Sequence, residues 1–136
     1  MKRTATAIWN GSIKEGKGNL TTQSATLNKT PYSFVSRFED GNGTNPEELM
    51  AAAHAGCFTM KLSLDLTTAG FNPELLETTA VVTLENGVIT KSALTLHAKI
   101  EGISEVQFLE IAQNSKLTCP VSKAYNLEIT LDANLN

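Results

Sequence analysis

The segment NPEELMAAAHAGCFTMKLSLDLTTAG, residues 45–70, decides how the rest of the chain is read. Asn45 has the side chain of a helix N-cap, Pro46 suits the first helical position, and Glu47 and Glu48 favour the positive end of the helix dipole. Glu48 stands three residues after Asn45, in a capping arrangement. Gly70 is expected to end the helix at about residue 69. The interior is apolar on nearly every side, which predicts a helix surrounded by protein. The run from Leu49 to Leu66 approaches the length of a membrane span. His54, Lys61, Ser63 and Asp65 interrupt it, so a buried core helix and no membrane association are expected.

Working outward, residues 3–9 alternate and predict a strand, and residues 20–27 predict a weaker, Thr-rich one. Gly11, Gly16 and Gly18 mark turns between them. In YSFVSRF (32–38), Tyr32, Phe34, Ser36 and Phe38 alternate with Ser33, Val35 and Arg37. This predicts a third strand, with Arg37 on the face opposite the aromatics. DGNGTNP (40–46) is turn chemistry. Beyond the helix, residues 78–85 and 88–101 predict strands joined by a hairpin at Asn86-Gly87. Residues 104–116 predict a second helix, capped by Ser104 with Gln107 three residues on. CPVSKAY (119–125) begins a further helical turn at Pro120, and residues 126–135 close the chain as a strand. The order β-β-β-α-β-β-α-α-β predicts an α+β fold, an antiparallel sheet with helices gathered on one side, in a single domain over 1–136.

The chain has 136 residues, 41% apolar and 18% charged, with a net charge of −3. That length buries a core without disulfide staples, and the composition is globular rather than disordered. The charge leaves no basic footprint, which argues against a nucleic-acid partner. The first ten residues are too short and too polar for a secretory h-region, so the cytoplasm is the expected compartment. Two cysteines there are catalytic or metal-binding more often than permanently bridged.

Cys119 immediately precedes Pro120 at a helix start, where unpaired N–H groups stabilise a thiolate. The proline keeps Cys119 out of helical geometry, and Lys116 and Lys123 lie close in sequence. Cys57 lies mid-helix among apolar residues, where burial raises a thiol's pKa. A reactive Cys57 needs a positive neighbour, and Arg37 is the best candidate in the N-terminal half. Other readings stay open on the residues alone. Both thiols are inert core packing in one. In another, His54, Cys57, His97 and Cys119 form a Cys2His2 metal site, although no CxxC or HxxxH pair supports it. A Cys57/His54 hydrolase has no accompanying signature. An apolar-ligand binding module with unreactive thiols is the remaining alternative.

TNPEELMAAAHAGCFTMKLS (44–63) and TCPVSKAY (118–125) resemble the two signature motifs of the OsmC/Ohr family of thiol peroxidases. Arg37 in SRFED falls where that family carries its arginine, and the wording CPVSKA is similar to the OsmC branch. The resemblance covers essentially the whole chain. It implies an OsmC-like fold, antiparallel sheets packed around a long central apolar helix in an intertwined homodimer. It also implies that Cys57 is the peroxidatic cysteine and Cys119 the resolving one. Arg37 would hold the thiolate and polarise the peroxide, and Glu47 would position Arg37. The implied substrates are organic hydroperoxides, the implied reductant a dithiol such as a lipoylated protein, and no metal or flavin cofactor is implied. Helix geometry bears on the dimer separately. Glu47 and Cys57, ten residues apart on one helix, lie about 15 Å apart along its axis. Glu47 therefore cannot serve the Cys57 of its own helix. The apolar pocket is expected from Phe58, Met60 and the aromatics of 32–38.

Overall fold

The computed structural model describes residues 1–136. The chain divides into two compact units, Met1–Leu49 and Met50–Asn136.

In the first unit, β1 (Ala5–Asn10), β2 (Lys17–Thr22) and β3 (Thr30–Tyr32) form an antiparallel sheet in that order. Trp9 pairs with Gly18, and Gly18 with Tyr32. A Cβ at Gly18 would stand 2.5 Å from the Tyr32 ring and 2.7 Å from the Trp9 ring. The missing side chain lets those rings close across the middle strand, with centroids 5.3 Å apart. The second strand runs 17–22 rather than 20–27, because Thr22 to Lys29 turns, with Ala25 and Lys29 at positive φ.

The expected third strand over 32–38 is corrected. Only Tyr32 belongs to β3, and Phe34–Phe38 is a short helix, α1. Ser33 caps it in a reciprocal box: the Ser36 N–H donates to the Ser33 hydroxyl and the Ser33 N–H to Ser36 Oγ. Phe34 and Phe38 stack at 4.8 Å, one helical turn apart. Spacing of four residues satisfies both a period of 2 and a period of 3.6, so the aromatic alternation could not separate strand from helix.

The long helix α2 (Pro46–Thr68) begins in the first unit, where the Glu48 N–H donates to Asn45 Oδ1 at 2.8 Å. The Glu48 carboxylate turns to the Thr44 hydroxyl, 3.1 Å away, rather than back to Asn45. At its other end Gly70 takes φ +92°. The Phe71 N–H reaches Leu66 C=O and the Gly70 N–H reaches Thr67 C=O, a Schellman closure.

In the second unit, His54, Phe58, Leu62 and Leu66 form the buried stripe of α2, one residue per turn. They pack with Leu94, Leu96 and Ala98 and with Phe108 and Ala112. Each fully buried Phe or Leu contributes about 1.5–3 kcal/mol relative to an exposed one. The far side of α2 leaves Met60 and Leu64 exposed, so the helix is not covered all round within one chain. The strands β4 (Pro73–Glu85) and β5 (Val88–Ile100) meet at Asn86-Gly87, both at positive φ as a type I′ turn requires. The first of them starts five residues before the expected position 78. A register shift between Pro73 and Leu75 breaks the alternation that would have revealed it. Then α3 (Glu105–Thr118) follows its Ser104–Gln107 capping box, α4 (Pro120–Ala124) follows Cys119, and β6 (Glu128–Leu135) returns. The sheet order is β4-β5-β6. The last pair is parallel, which corrects the all-antiparallel expectation. Between those strands α3 carries the chain back to the starting end, as a parallel crossover requires.

The fold is therefore α+β, with two three-stranded sheets and helices. No helix is long and apolar enough to cross a membrane.

Candidate functional site

Two constellations contain the residues singled out above. The first lies between Pro31 and Glu48. Ser36 Oγ donates to Thr44 C=O at 2.9 Å, Asn45 Nδ2 to Ser36 C=O at 3.0 Å, and the Thr44 N–H to Pro31 C=O at 3.0 Å. These bonds tie α1 to the start of α2 and set Arg37 beside Glu47. Arg37 Nη2 donates to Glu47 Oε1 at 2.7 Å, and Nε approaches both carboxylate oxygens at 3.2 and 3.3 Å. Burial alone would push the Glu47 carboxyl up, but the hydrogen bonds from Arg37, a hydrogen bond from its own backbone N–H and the arginine's charge together hold the group below the usual range. The same hydrogen bond raises the arginine's pKa further. Arg37 also lies over the Phe38 ring, 5.2 Å from its centroid. Arg37 therefore adjoins an aromatic, where a strand would have placed it opposite. A pocket of about 230 Å³ opens here, lined by Trp9, Ile13, Tyr32, Phe34 and Phe38 with Arg37 among them. Of the expected pocket walls, the aromatics of 32–38 are present. Phe58, wholly buried in the core, and the exposed Met60 do not line this pocket.

The second constellation holds both thiols. Cys119 ends α3 and precedes Pro120, with extended backbone (φ −58°, ψ 128°), and its side chain is fully buried. Cys57 is half-buried on α2. The two sulfurs are 3.1 Å apart. Burial pushes the Cys57 thiol up, and the contact with Cys119 adds to this, against a smaller pull from the Val121 N–H. Burial pushes Cys119 up too, but the Ser122 N–H, the Cys57 thiol, the Ser122 hydroxyl and the Val121 N–H together bring it below an ordinary thiol. The contact works in opposite directions on the two groups: it raises the Cys57 thiol and lowers that of Cys119. Lys116 and Lys123, near in sequence, are not among the groups that move it.

His54 is buried on α2, three residues before Cys57. Its Nδ1 lies 2.7 Å from Ser92 Oγ and its Nε2 lies 2.9 Å from Ser122 Oγ. Burial lowers its pKa, so the ring is neutral. The Tyr125 ring meets it edge-on at 5.3 Å. The Cys2His2 set does not assemble. Both nitrogens of His54 are taken by serines, and His97 sits on the exposed face of β5, opposite the buried Leu94, Leu96 and Ala98. No cluster of three metal-ligating side chains forms. Ser92 and Ser122 were not visible as site residues in the sequence. Ser122 carried a faint signal, three residues after Cys119 in the turn begun by Pro120.

The chain matches the family model described as OsmC-like protein over residues 39–134. It is 50% identical to Peroxiredoxin OsmC of Escherichia coli (strain K12) over 133 residues, 95% of this chain and 93% of that protein. It is 37% identical over 94 residues to the organic hydroperoxide resistance protein OhrA of Bacillus subtilis (strain 168), covering 65% of this chain and 66% of that one. The crystal structure of an OsmC-like protein from Mycoplasma pneumoniae aligns with a TM-score of 0.78 at 13% identity, covering 99% of this chain and 97% of the other.

Proposed function

The chain belongs to the OsmC-like family, and we propose that it is a cysteine-based peroxidase that reduces organic hydroperoxides to alcohols. The observation that carries this reading is the pair of free sulfurs 3.1 Å apart, one half-exposed and one buried. A disulfide needs about 2.05 Å, so closure asks for a movement of about 1 Å. The names of the Escherichia coli and Bacillus subtilis relatives support the substrate class.

The Cys57 thiolate attacks the distal peroxide oxygen, the O–O bond breaks, and the alkoxide leaves as an alcohol after taking a proton. Cys57 becomes a sulfenic acid. Cys119 displaces its oxygen as water and forms the disulfide. A dithiol of the lipoyl type, named here by chemical class, reopens the bond by exchange. No metal or flavin takes part in these steps. Burial and Cys119 hold the Cys57 thiol up, so a peroxidatic Cys57 needs a cation. We assign Arg37, oriented by Glu47, to that role. Glu47 stands ten residues before Cys57 on α2, about 15 Å along the axis. The Arg37–Glu47 pair therefore serves the thiols of a second protomer in a homodimer of single 1–136 domains. The exposed Met60 and Leu64 on the far side of α2 support a second chain there. The aromatic pocket beside Arg37 suits an alkyl or aryl peroxide better than hydrogen peroxide. The cytoplasm, where thiols are kept reduced, is the compartment in which this cycle runs.

The raised Cys57 thiol, taken without a cation, favours the rival reading of a binding module with unreactive thiols. One experiment separates the two. Reduced protein is treated with one equivalent of cumene hydroperoxide, alkylated and weighed intact. A chain about 2 Da lighter, with neither thiol alkylated, is the expected result. Two alkylated thiols and no oxidation would remove the peroxidase reading. Cys57→Ser should abolish turnover. Cys119→Ser should consume one equivalent and then stall, with oxidised Cys57 trapped by a sulfenic-acid reagent.

A further inference from the structure

Three contacts join α2 to the segment that follows α3, and they keep one antiparallel register. Cys57 meets Cys119 with the sulfurs 3.1 Å apart. Three residues earlier on α2, and three later on α4, His54 Nε2 lies 2.9 Å from Ser122 Oγ. Four residues earlier again, and three later, the Tyr125 hydroxyl donates to Met50 C=O at 2.9 Å. Positions 50, 54 and 57 share one face of α2, because spacings of four and three residues each complete about one turn. On the other side of the thiols the Ser115 hydroxyl donates to Asp65 Oδ2 at 2.6 Å. The two cysteines are therefore held between polar contacts on both sides.

The segment 115–125 is tied together by its own backbone. The Cys119 N–H reaches Ser115 C=O at 2.9 Å, the Lys123 N–H reaches Cys119 C=O at 3.0 Å, and the Tyr125 N–H reaches Val121 C=O at 3.1 Å. A displacement at Tyr125 is thus passed through α4 to Cys119. The phenol grips the backbone of α2 rather than a side chain, so its bond fixes the position of α4 along the helix axis. A slip of one residue would move that contact by about 1.5 Å. Burial and both sulfurs push the phenol up, which keeps its proton in place for donation. The ring itself packs edge-on against His54, with centroids 5.3 Å apart. Neither Tyr125 nor the His54–Ser122 contact takes part in the steps above.

We infer that Tyr125 is a positioning residue for the resolving thiol, its bond to Met50 C=O fixing the register of 119–125 on α2 and so holding the Cys119 sulfur within reach of Cys57. The inference rests on the proposed peroxidase reading and deepens it. In the resolving step the Cys119 sulfur attacks the sulfur of the Cys57 sulfenic acid. An S–S bond forms, the S–O bond breaks, and the oxygen leaves as water, with its own hydrogen and the proton of the Cys119 thiol. The Cys57 sulfur is reduced and the Cys119 sulfur oxidised, each to the disulfide level. Reacting atoms held about 3–3.5 Å apart need no search before they react, and a misplacement of about 1 Å can cost about a hundredfold in rate. The reduced pair already stands at such a distance. A sulfenic acid left waiting meets a second peroxide, which carries it to the sulfinic acid and releases another alcohol. Prompt closure therefore protects Cys57 from its own substrate.

The test compares the wild-type chain with Tyr125→Phe and Ser122→Ala. Tyr125→Phe removes the hydroxyl and keeps the ring against His54. In single turnover with one equivalent of cumene hydroperoxide, acid quench and intact mass follow sulfenic acid and disulfide separately. Tyr125→Phe should slow disulfide formation about tenfold more than it slows the first oxidation. In a buffer of reduced and oxidised glutathione its disulfide should be about tenfold less favoured, a potential about 30 mV less negative. Ser122→Ala, which cuts the contact next to the thiols, should shift both readings in the same direction. A wild-type value of either the closure rate or the glutathione equilibrium in Tyr125→Phe overturns the inference, and so does equal slowing of both steps. If Tyr125→Phe does not fold, Ser122→Ala is read by the same criteria. A wild-type chain that consumes no cumene hydroperoxide refutes the peroxidase reading instead, and the glutathione equilibrium still decides whether Tyr125 holds the thiols together.

Discussion

Arg37 holds Glu47 through Nε and Nη2, and its Nη1 makes no hydrogen bond. The guanidinium fork is thus fixed by one partner with a donor left for another. If it serves Cys57 in the dimer, Arg37→Met should shift the pH midpoint of Cys57 alkylation upward by about one unit or more. The sign follows from the charge: a cation favours the thiolate, so its loss requires higher pH to ionise the thiol. Arg37→Lys should not restore the wild-type midpoint, because a single ammonium cannot hold the carboxylate by two nitrogens and present a third donor. A titration curve unchanged in both variants would take Arg37 out of the site. The two thiols and the Arg37–Glu47 pair stood out in the sequence as candidates, and each pair meets: the sulfurs at 3.1 Å and the ion pair at 2.7 Å. The serines did not. Ser92 and Ser122 are ordinary residues made special by His54, which is 38 and 68 residues away from them, and no local pattern encodes such a meeting.

Among the elements, α2 depends on its stop. Gly70 sits at φ +92° with open space around the position of a missing Cβ, so a side chain there would meet no neighbour. Gly70→Ala should therefore cost about 1 kcal/mol through backbone conformation alone. Urea unfolding should show a lower midpoint with an unchanged slope. A larger loss would mean that the helix end also carries packing. Caps of this kind were readable from the sequence: Asn45, Gly70, Ser104 and the Asn86-Gly87 turn all act as their chemistry predicts. The residues 33–38 were not, although Ser33 and Ser36 form a reciprocal cap. Two serines three apart are a weaker signal than a Ser-x-x-Glu box, and the stacked Phe34 and Phe38 fit either period.

For the whole molecule, the exposed Met60 and Leu64 on α2 and the separation of Glu47 from Cys57 along that helix argue for two copies. Sedimentation equilibrium should give twice the 14.6 kDa of the chain. Met60→Lys should shift the protein toward monomer and lower peroxide turnover together. A fully active monomer would mean that one chain completes its own site. The last strand, expected antiparallel, pairs parallel to β5 because α3 alone carries the chain back along the sheet, α4 being a single short turn. What composition could not say was which sheet the last strand joins. The nearness of Cys57 and Cys119 has one more consequence. The two residues are 62 apart in sequence, so bonding their sulfurs would tether the middle of the long helix to the end of α3 across nearly half the chain. Closing a loop of that length restricts the unfolded chain by on the order of 4 kcal/mol. Peroxide-treated protein should then melt on the order of 10 °C above the reduced form in calorimetry. Its resistance to heat would keep a record of oxidant exposure until a dithiol erased it.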